Sequence, residues 1–371
     1  MKILHIIPNL KKGGAERLVL DICRQLIQKQ DIIVKLIVFS EKNEYSFLMK
    51  GVDVEVIPAI AIPSLSGKSI VEVKQLQAYV DAFQPDVIHS HLFETEMVLA
   101  HISPPVKTKR IIHFHDTMPQ FRNLDFKTLF NKSLLTNFFE KRIVLKGYQK
   151  NTLSICISIN IKDYSETVLP KSIESVLLYN AIDLERFNND HYDNNTFNEI
   201  AITGSLVDKK GHDLAVETIK ELVNRNIKIH LHILGDGPNK NRLEGLIDEL
   251  NLQSNITMHG LVDHPEDFLK NCKIYLHTAS HEPFGLVLIE AMACGLPVVC
   301  TDGRGNRDLI QEGENGFMVG ERDPKLLADK IELLIKNDIL RQEMGEKARK
   351  FAQGFGMEKY VESLILLYQK T

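Results

Sequence analysis

Short apolar runs alternate with longer stretches of helical periodicity along this chain, and that alternation is the first clue to its fold. Residues 3–7, 33–39, 52–57, 87–89, 110–115 and 153–157 have the length and branched content of buried strands, while 15–28 and 69–83 place apolar residues at helical spacing. Strands and helices in that order predict a parallel sheet covered on both faces, with ligands beyond the carboxyl ends of its strands. The same grammar resumes after residues 188–198, a stretch rich in Asn and Asp that suits a linker. Residues 200–203, 256–260, 274–277 and 298–301 are the strands expected there.

One helix breaks the amphipathic pattern. Residues 284–293, FGLVLIEAMA, are apolar on every side except at Glu290, which predicts a helix inside a domain, ending on the Cys294-Gly295 pair. Breaking or omitting the partner of a buried carboxylate costs on the order of 3–5 kcal/mol, so Glu290 requires a protein donor or ligand hydroxyls. Eight positions earlier, Glu282 precedes the sharp turn Pro283-Phe284-Gly285, which leaves the amides of Leu286 and Val287 at the helix start. Such amides attract phosphate. An anion site flanked by two carboxylates suits a ligand with phosphate at its centre and hydroxyls at both ends, the layout of a nucleoside-diphosphate sugar.

At 371 residues the chain is long enough for two cores, and 44% hydrophobic with 25% charged residues is ordinary for a soluble protein. No apolar run approaches the roughly 18 residues of a membrane span, and the first residues are too few and too strand-like for a signal peptide, so a cytoplasmic location is expected. Cys23, Cys156, Cys272, Cys294 and Cys300 are scattered through apolar segments and read as reduced core thiols. The net charge of −4 is unevenly divided: residues 1–180 carry 23 basic and 18 acidic side chains, the remainder 22 and 31. A basic first half favours an anionic partner there. Its most basic stretch, from Leu124 to Lys150, mixes apolar residues with Lys127, Lys132, Lys141, Arg142, Lys146 and Lys150. A two-faced, basic amphipathic helix or pair of helices in peripheral contact with an anionic membrane is one expectation for it, and a helix packed on the sheet with a solvated basic face is the other. No nucleic-acid partner is expected.

Gly13-Gly14 stands just before a helix, where a ligand can come close to the backbone. G-x-G-x-x-G is absent, so no nicotinamide or flavin cofactor is expected. His89-Ser90-His91 and His113-Phe114-His115-Asp116 end two strands, unaccompanied by cysteine or H-E-x-x-H, and read as polar groups at a substrate cleft in preference to metal ligands. Asp-x-Asp is absent as well, which leaves a metal-clamped diphosphate without obvious ligands.

HEPFGLVLIEAMACGLPVV resembles the Glu-x7-Glu signature of the retaining glycosyltransferases of family 4, of the bacterial cell-surface polysaccharide type. The likeness runs from GGAER after the first strand through NAID at 180–183, GSLVDKKGHD and HILGDGP to the last helix. It implies the GT-B fold, an α/β architecture of two Rossmann-like domains facing each other across a cleft. Residues 1–180 would form the acceptor side and 181–356 the nucleotide-sugar side, with the C-terminal helix at 357–371 crossing back to the first domain. The resemblance also implies roles: Glu290 on the ribose hydroxyls, Glu282 and His115 by the transferred sugar, Lys210 on the diphosphate, and Gly14, Phe284, Gly285, Leu286 and Val287 around the donor. Ser205 stands where the family has a second phosphate-binding arginine, so either Arg304, Arg307 or Lys209 supplies that charge or the donor is held less tightly. Asp308 replaces a frequent glutamate, and the region from His259 to Val262 is the expected place of the base.

The implied reaction is transfer of a sugar from a nucleoside-diphosphate sugar, UDP favoured over GDP, to a glycan or lipid-linked glycan, without a metal or cofactor. Cations and helix amides would stabilise the departing diphosphate, which takes the acceptor's proton during front-side attack. A sugar-nucleotide epimerase of the same architecture and a non-catalytic partner subunit, the latter suggested by Ser205, are the rival readings.

Overall fold

The computed structural model describes residues 1–45, 48–49, 51–64, 68–121, 131–149, 151–188 and 198–370. Two compact units emerge, Met1–Asn180 with Met357–Thr371 and Ala181–Gly356. In the first, β1 (Lys2–Ile7), α1 (Gly14–Ile27), β2 (Ile33–Val38) and β3 (Val54–Val56) open the sheet. An antiparallel pair, β4 (Ile60–Ile62) and β5 (Ile70–Glu72), precedes α2 (Lys74–Phe83). Then come β6 (Val87–His91), α3 (Phe93–Leu99), β7 (Lys109–Phe114), α4 (Lys132–Gly147), β8 (Thr152–Cys156), α5 (Ile159–Val168) and β9 (Glu174–Leu177). The helix expected over 69–83 thus begins only at Lys74. Ile70, Val71 and Glu72 find backbone partners across β4, and that pairing overrides the helical spacing of their apolar neighbours.

Among the described residues the large sheet of this unit has the order β3-β2-β1-β6-β7-β8-β9, parallel throughout. The order reverses between β1 and β6, the crevice at which open α/β sheets hold ligands. Alternation along the strands sends Leu4, Ile6 and Ile88 into an apolar cluster with residues of α2 and α3, and sends His5, His89, His91 and His113 to the opposite face. β7 is anchored by a buried ion pair: Arg110 Nη2 donates to Glu96 Oε2 on α3 at 2.8 Å, and Nη1 to the carbonyl of Gly147 at 3.0 Å. Ser90 Oγ on β6 donates to the same carboxylate.

Part of the basic stretch, residues 124–130 and 150, lies outside the described residues. Along α4, apolar and cationic side chains are spread round the helix and not gathered on two faces. Lys141 donates to the Phe121 carbonyl at 3.0 Å, and the Arg142 guanidinium lies 5.8 Å from the centre of the Phe138 ring. α4 is therefore not the two-faced membrane-surface helix that composition allowed. Among the described residues no helix is long and apolar enough to cross a membrane.

The second unit begins with α6 (Leu184–Phe187), β10 (Glu199–Thr203), α7 (His212–Asn224), β11 (His230–Leu234), α8 (Lys240–Glu249) and β12 (Ile256–Gly260). It continues with α9 (Pro265–Leu269), β13 (Ile274–His277), α10 (Leu286–Ala293), β14 (Val298–Thr301), β15 (Gly316–Val319), α11 (Pro324–Lys336) and α12 (Asp338–Ala352). Its parallel sheet runs β12-β11-β10-β13-β14-β15, with the reversal between β10 and β13. A Cβ on Gly235 would stand 1.9 Å from the Gly204 carbonyl oxygen, and one on Gly237 would stand 2.7 Å from that of Leu206. Only glycines let the turn after β11 lie against the loop after β10. The last helix, α13 (Met357–Gln369), packs beside α1 in the first unit.

The Arg110–Glu96 pair yields a stability prediction. Arg110→Ala leaves Glu96 buried without its cation and should cost about 3–5 kcal/mol, read as a lowered urea midpoint. The double variant Arg110→Met/Glu96→Leu should recover most of that loss.

Candidate active site

In the second unit, the loop after β13 carries Glu282, and each neighbouring loop contributes to holding it. Its amide donates to the Gly303 carbonyl at 2.8 Å, and its carbonyl accepts from the Gly305 amide at 2.9 Å. A Cβ on Gly303 would meet Glu282 Cβ at 2.7 Å, and one on Gly305 would meet the Pro283 carbonyl oxygen at 2.0 Å, so this approach requires both glycines. Asn306 fastens the same loop, accepting from the Gly303 amide at 2.8 Å and donating to the Thr301 carbonyl at 2.9 Å. On the other side, Ser280 donates its amide to the Lys209 carbonyl at 2.8 Å and Thr278 its hydroxyl to that of Lys210 at 3.2 Å.

The buried Glu282 carboxylate accepts from Lys210 Nζ at 2.6 Å and lies 3.2 Å from His277 Nε2, a contact whose angle falls short of a hydrogen bond. Burial alone would raise the Glu282 carboxyl, but Lys210 and His277 outweigh it and hold the group well below the usual carboxylate range. Burial pushes the His277 imidazole down, with Glu282 opposing. The site thus contains an ionised carboxylate and one close ammonium. Past Glu282 the chain turns through Gly285 at φ 107°, and a Cβ there would meet Leu288 at 2.8 Å. No side chain caps α10, and among the described residues the amides of Leu286 and Val287 donate to nothing. α10 closes with the Leu296 amide on the Ala291 carbonyl at 3.0 Å and the Gly295 amide on that of Met292 at 2.9 Å, a Schellman motif made by Gly295 at φ 82°. Phe284 and Glu290 are both buried.

The remaining expected residues of this unit lie in the same loops. Ser205 is exposed in the turn after β10. Of the three substitutes for its missing charge, Arg307 is paired with Asp302, its Nε 2.9 Å from Oδ1. The Lys209 backbone is bound to Ser280. Arg304 is bridged to Glu282 through its backbone and carries its guanidinium exposed. His259 Nε2 is bonded to His232 Nδ1 at 2.9 Å, with Phe268 against its ring. Two histidines of this unit were missed. His277 ends β13 much as His113 and His115 end β7, which was an available signal. His212, at the start of α7, is buried with neither ring nitrogen bonded among the described residues, and burial brings it down to about 4; nothing in the sequence announces it.

In the first unit, Gly14 is the first residue of α1, and the preceding Gly13 is clasped by Tyr45, whose hydroxyl donates to the Gly13 carbonyl at 2.8 Å. His115 lies just past β7, half-buried, with its Nε2 2.9 Å from His91 Nδ1. His91 continues to His5, and His89, His113 and Tyr368 complete a single buried cluster. His5 and Tyr368 had no sequence signal, because nothing local marks which face of β1 or α13 they share. Burial lowers all five imidazoles, His5 and His115 to about 3, so they are neutral at ordinary pH.

The family described as Glycosyltransferase Family 4 matches residues 12–186, and the one described as Glycosyl transferases group 1 matches residues 183–351. The chain is 27% identical over 308 residues to an uncharacterized glycosyltransferase of Methanocaldococcus jannaschii, covering 82% of this chain and 78% of that one. It is 29% identical over 238 residues to the Campylobacter jejuni N-acetylgalactosamine-N,N'-diacetylbacillosaminyl-diphospho-undecaprenol 4-alpha-N-acetylgalactosaminyltransferase, covering 63% and 62%. The crystal structure of Anabaena HepE in complex with UDP and glucose superposes with a TM-score of 0.80 over 100% of both chains at 19% identity. The GT-B fold implied by the resemblance is the fold found.

The Glu282 environment predicts a pH dependence. Because its folded carboxyl lies below the ordinary value of 4.5, the stability it contributes is complete above about 4.5 and is lost as pH falls below that value toward the folded one. Lys210→Met should therefore cost about 3–5 kcal/mol at neutral pH, and the gap from wild type should narrow steadily below about pH 4.5. Urea midpoints measured from neutrality to about pH 3 check this, and a gap independent of pH would contradict it.

Proposed function

The chain belongs to the GT-B glycosyltransferases, and from that premise we propose that it moves a sugar from a nucleoside-diphosphate sugar to a glycan or lipid-linked glycan, with retention of configuration and without a metal. The observation that carries this reading is the arrangement at the start of α10, where an ionised Glu282 balanced by Lys210 adjoins two undonated helix amides. A diphosphate is the ligand that uses both features: the amides and Lys210 take up its charge, and that stabilisation grows as the sugar departs. Arg304, on the loop bridged to Glu282, is our choice for the charge that Ser205 lacks. Glu290 is assigned to the ribose hydroxyls, Glu282 and His115 to the transferred sugar.

UDP is favoured as the nucleotide because the similar HepE structure was solved with UDP and glucose. A lipid-linked acceptor is favoured because the Campylobacter relative is named for a diphospho-undecaprenol substrate. Such an acceptor would place the chain at the cytoplasmic face of a membrane, and the basic excess of residues 1–180 supports that placement.

Calorimetric titration with UDP and GDP, followed by nucleotide sugars with and without a polyprenyl-diphosphate glycan, tests the reading. Glu290→Gln should weaken UDP binding about tenfold while leaving the fold intact, since the amide fits but bonds hydroxyls less strongly. Unchanged affinity would remove Glu290 from the ribose. Binding of neither nucleotide would overturn the donor assignment, and a converted sugar nucleotide formed without acceptor would favour an epimerase.

A further inference from the structure

The face of the first sheet opposite α2 and α3 carries five histidines, and they form two strings that meet at one hydroxyl. Tyr368 Oη on α13 lies 3.3 Å from His5 Nε2 and 2.6 Å from His89 Nδ1. From His5 the first string runs through Nδ1 to His91 Nε2 at 3.0 Å, and from His91 Nδ1 to His115 Nε2 at 2.9 Å. The second runs from His89 Nε2 to His113 Nδ1 at 3.2 Å and ends at His113 Nε2, buried without a partner among the described residues.

Each imidazole is neutral and so carries one proton on two nitrogens, while Tyr368 has one proton to give. Only two arrangements satisfy every link and also use the Tyr368 proton. If Tyr368 donates to His89, all five rings are protonated on Nε2, His115 shows a bare Nδ1, and His113 carries a buried N–H with no acceptor. If Tyr368 donates to His5, all five are protonated on Nδ1, His115 shows an N–H, and His113 ends on a bare nitrogen. Orphaned buried N–H groups are the rarer and costlier defect. At the other end, His115 is half-exposed, so its Nδ1 is not confined to the cluster for a partner. The buried end therefore chooses the second arrangement.

We infer that Tyr368 locks His5, His89, His91, His113 and His115 into one shared tautomer, protonated on Nδ1, so that His115 meets its ligand as a hydrogen-bond donor and not as a base. Tyr368 is thus a positioning residue, acting on His115 through His5 and His91. Metal binding is the competing use of such a cluster, since His5, His89 and His91, and likewise His91, His113 and His115, bring ligand atoms within 4.8 Å of one another. Their rings, however, stack at 15–41° and bond in pairs along a string, where metal ligands would converge on a point. What His115 donates to, an oxygen of the transferred sugar, rests on the proposed function; the tautomer does not.

Long-range proton–nitrogen correlation spectra of the histidine-labelled full chain at neutral pH test the inference directly. Five histidines should show a protonated Nδ1 and a bare Nε2, the reverse of the tautomer that free histidine prefers in water. In Tyr368→Phe the two strings part, and mixed tautomers should appear at His89 and His113 alone, because each of their arrangements then leaves one orphaned N–H. Nε2 protonation at any of the five, no change on Tyr368→Phe, or one equivalent of zinc retained through dialysis would overturn it. For transfer activity, His115→Gln, which can still donate, should stay within about tenfold of wild type, and His115→Glu, which cannot, should fall at least about tenfold further. Equal losses would overturn the donor role, whereas a chain that binds no nucleotide sugar yet shows the five Nδ1 protons would sink the proposed function and leave the tautomer standing.

Discussion

Lys210 and Glu282 join loops that the sheet of the second unit merely brings near one another. β10, β13 and β14 end side by side because they are neighbours in a parallel sheet, but strand order does not dictate how their loops lie. The ion pair between the first two loops, together with the paired amide and carbonyl contacts from Glu282 to Gly303 and Gly305, fixes that. A carboxylate this deeply buried is tolerated only while its partners are present, so the loops cannot drift apart without exposing a charge to an apolar interior. The start of α10 inherits its place from that bond.

The first unit meets the same difficulty, polar groups at the buried ends of parallel strands, with the opposite solution. Where the second unit keeps a charge and pairs it, the first buries four imidazoles, half-buries a fifth, and keeps them neutral. Charging one would set a cation in a medium of low polarity, so hydrogen-bond direction is the only freedom left to the cluster. The hydroxyl that closes it comes from α13, separated from His89 by most of the chain.

The alternation of strands and helices made the fold class readable, and the Glu282–Gly295 stretch was readable in detail because its features are local: a turn, an uncapped helix start and a glycine terminus. Three things were not. Residues 70–72 satisfied a helical pattern but had a strand partner ten residues earlier. In the Leu124 to Lys150 stretch, composition suggested two faces, yet composition does not say on which side of α4 each residue falls. The histidine cluster needed the register of β1 against β6 and β6 against β7, which sets His5 beside His89 and His91 beside His113. Register is a property of pairs of strands, and no single segment contains it.

Arg304 shows most plainly how much a sequence can leave unsaid. Nothing in GRGNRD announces its shape: Arg304 sits at φ 77° and ψ −65°, and the Gly305 amide donates to the Gly303 carbonyl at 3.2 Å. That is the rare hand of the γ-turn, strained for any residue with a Cβ by about 1–3 kcal/mol. Glycine would occupy the position without strain. The conformation persists because the residues on either side cannot move: Gly303 and Gly305 are bonded to Glu282, and Asn306 holds the loop from behind. A loop so constrained aims the side chain at its turn, and that side chain is a guanidinium on the strand bridge to Glu282. The strain is thus the physical reason to assign Arg304, ahead of Arg307 with its Asp302 partner, the charge that the turn at Ser205 does not supply.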